Sequence, residues 1–181
     1  MAWTGTDSNH TLNIAQVSPS SGNSMLEAYV VGINDASSQA PALAVANITG
    51  NTALVIVWTG TDSHHHLNVA FSGDVVGPTA WSGTFVLNEE ASGGPSLATW
   101  NNTLYIGWSG TDGNHSLNLA SVEPILEPTG WANSMSFTAA QLISVNGATF
   151  GSSDAPSLNQ YGQSQLCMAR SRQRHKHCLL L

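Results

Sequence analysis

The sequence predicts an all-β protein, specifically a β-propeller of four-stranded antiparallel blades, with about three blades present. Three observations predict it. A segment beginning Trp-[Thr/Ser]-Gly-Thr-Asp occurs three times, starting at Trp3, Trp58 and Trp108. The alternating pattern of a half-buried strand follows each copy, and no segment has helical periodicity. A repeat of about 50 residues that contains four short strands is typical of a propeller blade.

The first unit contributes strands around the first motif. The segment 12–15 alternates apolar and polar side chains after the Gly-Thr-Asp turn. Beyond a loop rich in Ser, Gly and Asn, the segment 25–31 predicts another strand. The polar segment 32–39 is predicted to close the unit.

The second and third units repeat one order of four strands. The first strand consists of small residues after a proline, which suits crowding near a central axis. The second places aliphatic residues and the motif tryptophan on one face, so this face should pack against the neighbouring blade. The third strand follows the motif turn, and the fourth lies near a second tryptophan. In chain order, the predicted strands are 41–46, 53–58, 67–71, 81–87, 95–98, 103–108, 117–122 and 135–139.

The repeat divides the chain into a partial propeller, residues 1–169, and a basic tail, residues 170–181. The predicted units are blade 1 (1–40), blade 2 (41–94), blade 3 (95–155) and the start of blade 4 (156–169). Three blades are too few for a closed ring. We therefore expect either a fragment of a larger propeller or a homodimer that completes a six-bladed ring. In the tail, Arg170 stands where the motif tryptophan is expected, which suggests that the reading frame departs from the native one.

The charges also separate the body from the tail. All 11 Asp and Glu residues lie in the body, whereas the four basic residues are Arg170, Arg172, Arg174 and Lys176. An acidic body predicts no nucleic-acid partner. No apolar run approaches the roughly 18 residues of a membrane helix, so no membrane span is predicted. The sequence shows no signal peptide and leaves localisation open, with an extracellular location as the working hypothesis.

Each motif brings a Trp, an Asp, a His and an Asn into fixed spacing, which suggests a repeated sugar site. A tryptophan ring stacks on the C–H surface of a sugar, while Asp, His and Asn orient its hydroxyls. The candidate ligand-binding residues are Trp58, Asp62, His65 and Asn68, then Trp108, Asp112, His115 and Asn118, and in the first unit Trp3, Asp7 and His10.

The same residues have a structural interpretation, which the sequence leaves open. Trp58 and Trp108 share strand faces with Leu and Ile, as core residues do. Asp112 precedes Gly113 in a dipeptide that favours two-residue hairpin turns. The motif histidines follow the turn and are expected at the surface.

No catalytic residue, cofactor or metal ligand is predicted. A glycosidase needs two carboxylates at one scissile bond, whereas each motif supplies one turn Asp. The segment 64–66 is three histidines, which could capture zinc or nickel opportunistically. The third motif has a single histidine, so a metal site shared by the repeats is not expected.

The combination of Pro-[Ala/Ser]-Leu-Ala, a strand ending Trp-[Ser/Thr]-Gly-Thr-Asp and a fourth strand near a tryptophan resembles the tectonin-like β-propellers and the bacterial propeller lectins that bind fucose and related sugars. The resemblance covers residues 1–169. It implies a non-catalytic glycan-binding propeller with repeated shallow sites. Two alternatives remain: a protein-interaction or spacer propeller of a larger surface or secreted protein, and a sialidase-like glycoside hydrolase. The hydrolase ranks last because the body has no Arg cluster.

Overall fold

The structure is a computed structural model of strands connected by turns. It describes residues 1–16, 29–48, 51–73, 81–125, 134–137, 141–142, 144–145, 148–149, 156–161, 165–169 and 177–179. Over these ranges every regular element is a β-strand and none is a helix. A helix long and apolar enough to cross a membrane is accordingly not found in them.

Over residues 1–137, as far as they are described, three antiparallel sheets follow one another, and each has its strands in chain order. Sheet I contains β1 (Ala2–Thr4), β2 (Thr11–Gln16) and β3 (Tyr29–Ala36). Sheet II contains β4 (Ala42–Ile48), β5 (Asn51–Thr59), β6 (His66–Ser72) and β7 (Phe85–Glu90). Sheet III contains β8 (Ser96–Trp100), β9 (Thr103–Ser109), β10 (Leu117–Ile125) and β11 (Ser134–Phe137).

Shorter strands follow sheet III. Its β10 also pairs with β12 (Gln141–Leu142), and β13 (Ser144–Val145) pairs with β14 (Ala148–Thr149). Sheet IV contains β15 (Ser157–Tyr161), β16 (Gln165–Ala169) and β17 (His177–Leu179).

The predicted all-β class and the predicted strand order are confirmed. The described strands do not close into a ring. Residues 170–176, the start of the basic tail, lie outside the described residues.

Two strands differ from their predicted bounds. The strand predicted at 25–31 corresponds to β3, and residues 25–28 lie outside the described residues. β3 continues through residues 32–36, which were predicted to be a polar connection, because their backbone extends the ladder with β2 up to the pair Thr11 and Ala36. The strand predicted at 81–87 is β7, which begins at Phe85. Ahead of it, the Ser82 N–H donates to the carbonyl oxygen of Phe71, and the Ser82 hydroxyl accepts from the Phe71 N–H. These side-chain and backbone bonds hold the segment beside β6 without a regular ladder.

The central strands of sheet II, β5 and β6, are buried on both faces because sheets I and III pack against them. On one face, Ile56 and Trp58 of β5 contact Leu12 and Ile14 of β2. On the other face, apolar residues of β5 and β6 contact sheet III at Leu104, Ile106 and Trp108, among others. The apolar faces predicted for β5 and β9 therefore do pack against a neighbouring sheet.

The junction between successive sheets is repeated in its hydrogen bonds. The Ser38 N–H donates to the carbonyl oxygen of Thr59 at 2.9 Å, and the Ser92 N–H donates to that of Ser109 at 2.9 Å. The Thr59 hydroxyl donates to the Gly93 carbonyl oxygen at 2.8 Å. The hydroxyl of its counterpart Thr4 donates to the Gln39 carbonyl oxygen at 2.6 Å. Sheet I therefore joins sheet II in the way that sheet II joins sheet III.

The first strands of sheets II, III and IV lie side by side. Strand β8 contacts both β4 and β15, and the Thr99 hydroxyl of β8 donates to the Val45 carbonyl oxygen of β4 at 2.9 Å. Just ahead of β8, a Cβ at Gly94 would lie 2.6 Å from the carbonyl oxygen of Ala40. Only glycine permits this close approach of the two connecting segments.

Candidate functional site

The three motif turns, residues 5–11, 60–66 and 110–116, share one hydrogen-bond pattern. In each, the N–H of the glycine donates to the carbonyl oxygen six residues later, at 2.7 to 2.8 Å. The histidine N–H donates to the carbonyl oxygen of the aspartate three residues earlier, at 2.8 to 3.1 Å. The sequence predicted a two-residue hairpin at Asp112-Gly113. This prediction is wrong, because a longer loop, residues 110–116, joins β9 to β10.

The aspartate of each turn accepts hydrogen bonds from the loop that follows it. Asp112 accepts from the Asn114 N–H at 3.0 Å and from the N–H and hydroxyl of Ser116 at 3.0 and 3.1 Å. Asp7 accepts the same set from Asn9 and Thr11. The motif aspartate thus fixes the loop conformation, although the loop is longer than the hairpin that the sequence predicted.

These hydrogen bonds stabilise the ionised carboxylates. The Ser116 N–H, with further bonds from Asn114 and the Ser116 hydroxyl, holds the pKa of Asp112 below its ordinary value. The Thr11 hydroxyl does the same for the pKa of Asp7. Partial desolvation opposes the effect at Asp62, but bonds from the His64 N–H and from His66 still lower its pKa. The turns therefore present negative charge at neutral pH.

Glycine suits the position two residues before the aspartate, because the carboxylate and the motif asparagine occupy the space that a Cβ would need. A Cβ at Gly60 would lie 2.6 Å from Asp62 Oδ2 and 2.7 Å from Asn68 Nδ2. A Cβ at Gly110 would lie 2.8 Å from Asp112 Oδ2. Gly113, in the same loop, has nothing within 4 Å.

The motif asparagine completes the turn. Asn68 Nδ2 donates to the His66 carbonyl oxygen at 3.0 Å, and Asn118 Nδ2 donates to that of Ser116 at 2.9 Å. The same carbonyl oxygen also accepts the glycine N–H, so both of its lone pairs are used. The side-chain amide of this asparagine therefore has a structural role in the turn.

The motif histidines occupy the left-handed backbone region, with φ of 53° at His10, 55° at His65 and 49° at His115. This region is uncommon for residues other than glycine, although histidine and asparagine are enriched there. Nδ1 of His65 lies 3.4 Å from the Gly60 carbonyl oxygen, and Nδ1 of His115 lies 3.3 Å from that of Gly110. Nε2 is the ring atom that remains for a ligand, on side chains that are exposed at His65 and half-buried at His115.

The motif tryptophans differ in exposure. Trp58 and Trp108 are 0% and 1% exposed beneath the preceding sheet, so neither offers a ring face to a ligand in solvent. Trp3 pairs with Asn13 as Trp58 pairs with Asn68, but it is 36% exposed. Of the three, Trp3 alone keeps an accessible face.

The structure also assembles a polar cluster that the sequence analysis missed, and we call Asp62, His64, His66, Glu90 and Thr111 the turn 2 cluster. Glu90 accepts from Thr111 Oγ1 at 2.8 Å and pairs with His64 Nδ1 at 3.0 Å. Asp62 Oδ1 pairs with His66 Nδ1 at 2.9 Å. The Thr111 bond, and after it the His64 contact, lower the pKa of Glu90. Glu90 is not repeated, and its partners lie 21 and 26 residues away, so no sequence pattern indicates it.

The site offers hydroxyl, imidazole and carboxylate groups at an exposed surface. Among the described residues, no group of three or more His, Cys, Asp and Glu side chains could hold a metal ion. Comparisons with protein-family models, curated proteins and solved structures find no match to this chain.

Proposed function

We propose that the stacked sheets are blades of a β-propeller and that the protein is a non-catalytic, glycan-binding module. The observation that carries the proposal is the repetition of one exposed polar turn, with the same hydrogen bonds, in three successive sheets. An array of similar shallow surfaces suits a ligand that itself repeats, and multivalency can raise avidity by about 10²-fold or more over a single site.

The charge of the body favours neutral glycans. Residues 1–169 contain 11 carboxylates and no Lys or Arg, so no permanently cationic side chain in them pairs with a sialic acid, uronic acid or sulfate group. The low pKa values of the turn aspartates keep these carboxylates ionised. Hydrogen bonding to neutral hydroxyls is the interaction that remains.

The atoms available for contact are those that the fold leaves free. We assign ligand contact to the exposed carboxylate oxygens of Asp62 and Asp112, to Nε2 of His65 and His115, and to the ring of Trp3. Asn68 and Asn118 bond to the turn backbone, and Trp58 and Trp108 are buried in the core. Asp7 and His10 present the same surface in the first turn.

A glycan array with labelled protein tests the proposal. We expect saturable binding to neutral glycans and none to sialylated or sulfated ones. The H65N/H115N double variant should lose at least tenfold in apparent affinity, because asparagine tolerates the left-handed backbone but lacks the imidazole. An H65A/H115A variant is a poorer test, since alanine strains the turn. A folded protein that binds no glycan refutes the proposal.

The alternative is a protein-interaction or spacer propeller. It is favoured by the structural roles of the motif residues, since burial of Trp58 and Trp108 and the bonds of Asp112 explain the motif without a ligand. Under this alternative, H65N/H115N changes no binding property. Turnover of a chromogenic glycoside by pure protein would instead favour a hydrolase.

The homodimer that completes a six-bladed ring also stays a proposal. It is supported by the accessible face of Trp3, whose counterparts in sheets II and III are covered by a preceding sheet. In such a dimer the second copy covers the Trp3 ring, and ligand contact is made by the turns alone. Light scattering on a size-exclusion column measures the mass directly. A concentration-independent monomer would exclude this arrangement.

A further inference from the structure

The second motif turn differs from the other two in carrying two histidines that flank His65. His64 and His66 stand where the first turn has Asn9 and Thr11, and where the third has Asn114 and Ser116. Their ring centroids lie 5.4 Å apart with an interplanar angle of 43°. The side chains are 66% and 30% exposed, so both rings are reachable from solvent.

Each of these two rings is held at Nδ1 by a carboxylate. His64 Nδ1 lies 3.0 Å from Glu90 Oε1, and His66 Nδ1 lies 2.9 Å from Asp62 Oδ1. A carboxylate at Nδ1 fixes the tautomer with its proton on that nitrogen, so Nε2 carries the free lone pair. The same arrangement of carboxylate, histidine and metal orients imidazole ligands in metal sites and raises their basicity.

We propose that His64 and His66 form a two-histidine site for a borderline divalent transition metal, bound through Nε2 of each ring. Imidazole nitrogen suits Zn²⁺, Ni²⁺ and Cu²⁺, whereas Mg²⁺ and Ca²⁺ require oxygen ligands. Water completes the coordination sphere, so the site is weak and exchangeable. The proposal is independent of the glycan hypothesis.

The position of Glu90 links this site to the junction between sheets. Glu90 lies opposite His66 in the ladder of β6 and β7, and it also accepts from Thr111 in the third turn. A cation that fixes His64 therefore also fixes Glu90 and its bond to sheet III. Metal binding should raise the thermal stability of the protein.

The chain supplies its own control variants. H64N/H66T gives the second turn the sequence of the first, which the same fold already accommodates. Glu90 has Ala36 as its counterpart, because Ala36 pairs with Thr11 as Glu90 pairs with His66. E90A therefore removes one carboxylate anchor with a residue that the fold uses at that position.

Calorimetric titration of the full chain with ZnCl₂ and CuCl₂, and separately with MgCl₂, tests the site. We expect saturable binding of Zn²⁺ and tighter binding of Cu²⁺, with no heat from Mg²⁺. H64N/H66T should abolish the binding, and E90A should weaken it by about 10-fold or more. Electron paramagnetic resonance of the Cu²⁺ complex should show two coordinated nitrogens.

Two results would overturn the proposal. Unchanged Zn²⁺ affinity in H64N/H66T would place the metal at another histidine or a cysteine of the chain. Absence of saturable binding to the wild-type protein, with circular dichroism showing it folded, would show that the two rings do not cooperate. Neither result bears on the glycan array, which is run in the presence of a chelator.

Discussion

Replacing Trp108 by alanine should destabilise the protein far more than the same change at Trp3. Burying a tryptophan removes about 200 Å² from water, which at about 25 cal/mol per Å² is an upper value of about 5 kcal/mol. Trp108 is 1% exposed and packs between two sheets, so its removal leaves a cavity. We expect a loss of about 4 kcal/mol, within the range for large aromatic truncations in cores.

At Trp3 the same calculation gives a smaller loss of unfolding free energy. The residue is 36% exposed, so about two thirds of the area counts. This gives an upper value of about 3 kcal/mol. The space left by truncation opens to solvent and adds no cavity cost, so we expect about 2 kcal/mol. Trp58, at 0% exposure, should behave like Trp108.

The assay is urea unfolding followed by far-ultraviolet circular dichroism, which does not depend on the tryptophan removed. Midpoints and slopes of wild type, W108A, W58A and W3A are compared at one protein concentration. Equal losses at Trp3 and Trp108 would refute the argument from sheet stacking. Such a result would mean that the ring of Trp3 is covered in solution, and a mass measurement would then show whether a second copy covers it.

Three further changes test the turns and the junctions. Gly110→Ala should lower the free energy of unfolding by about 1–3 kcal/mol, because the new Cβ displaces the Asp112 carboxylate. Gly113→Ala in the same loop should be neutral or slightly stabilising. Equal effects would contradict the crowding seen at Gly110. The pKa of Asp112 lies below its ordinary value of 3.8, so in acid the unfolded chain binds more protons than the folded one. The stability that Asp112 contributes is present above pH 3.8 and is lost as pH falls through the folded-state pKa, so the urea midpoint should fall less steeply on acidification in Asp112→Asn. Thr59→Val leaves the Gly93 carbonyl without its buried donor and should cost about 1–3 kcal/mol, while Thr4→Val, at an exposed bond, should cost less in the same assay.

Much of the local structure could be predicted because its causes lie within a few residues. The period-two pattern of Leu104, Ile106 and Trp108 predicts a strand with one apolar face, and the fold buries that face. The aspartate of each turn bonds to groups two and four residues later, so its structural role could also be anticipated. The left-handed backbone of His115 could not, because the Asp112-Gly113 dipeptide favoured a shorter hairpin.

The sequence by itself determined the repeat, the order of the strands and the alternation that makes each strand two-faced. Only the tertiary structure decided which of those faces are covered. Three tryptophans in equivalent positions end at 36%, 0% and 1% exposure, because coverage depends on the sheet that precedes each one and not on the strand itself. The turn 2 cluster was decided in the same way. His64 meets Glu90 because β7 pairs with β6, and Thr111 meets Glu90 because stacking brings the third turn beside the end of β7.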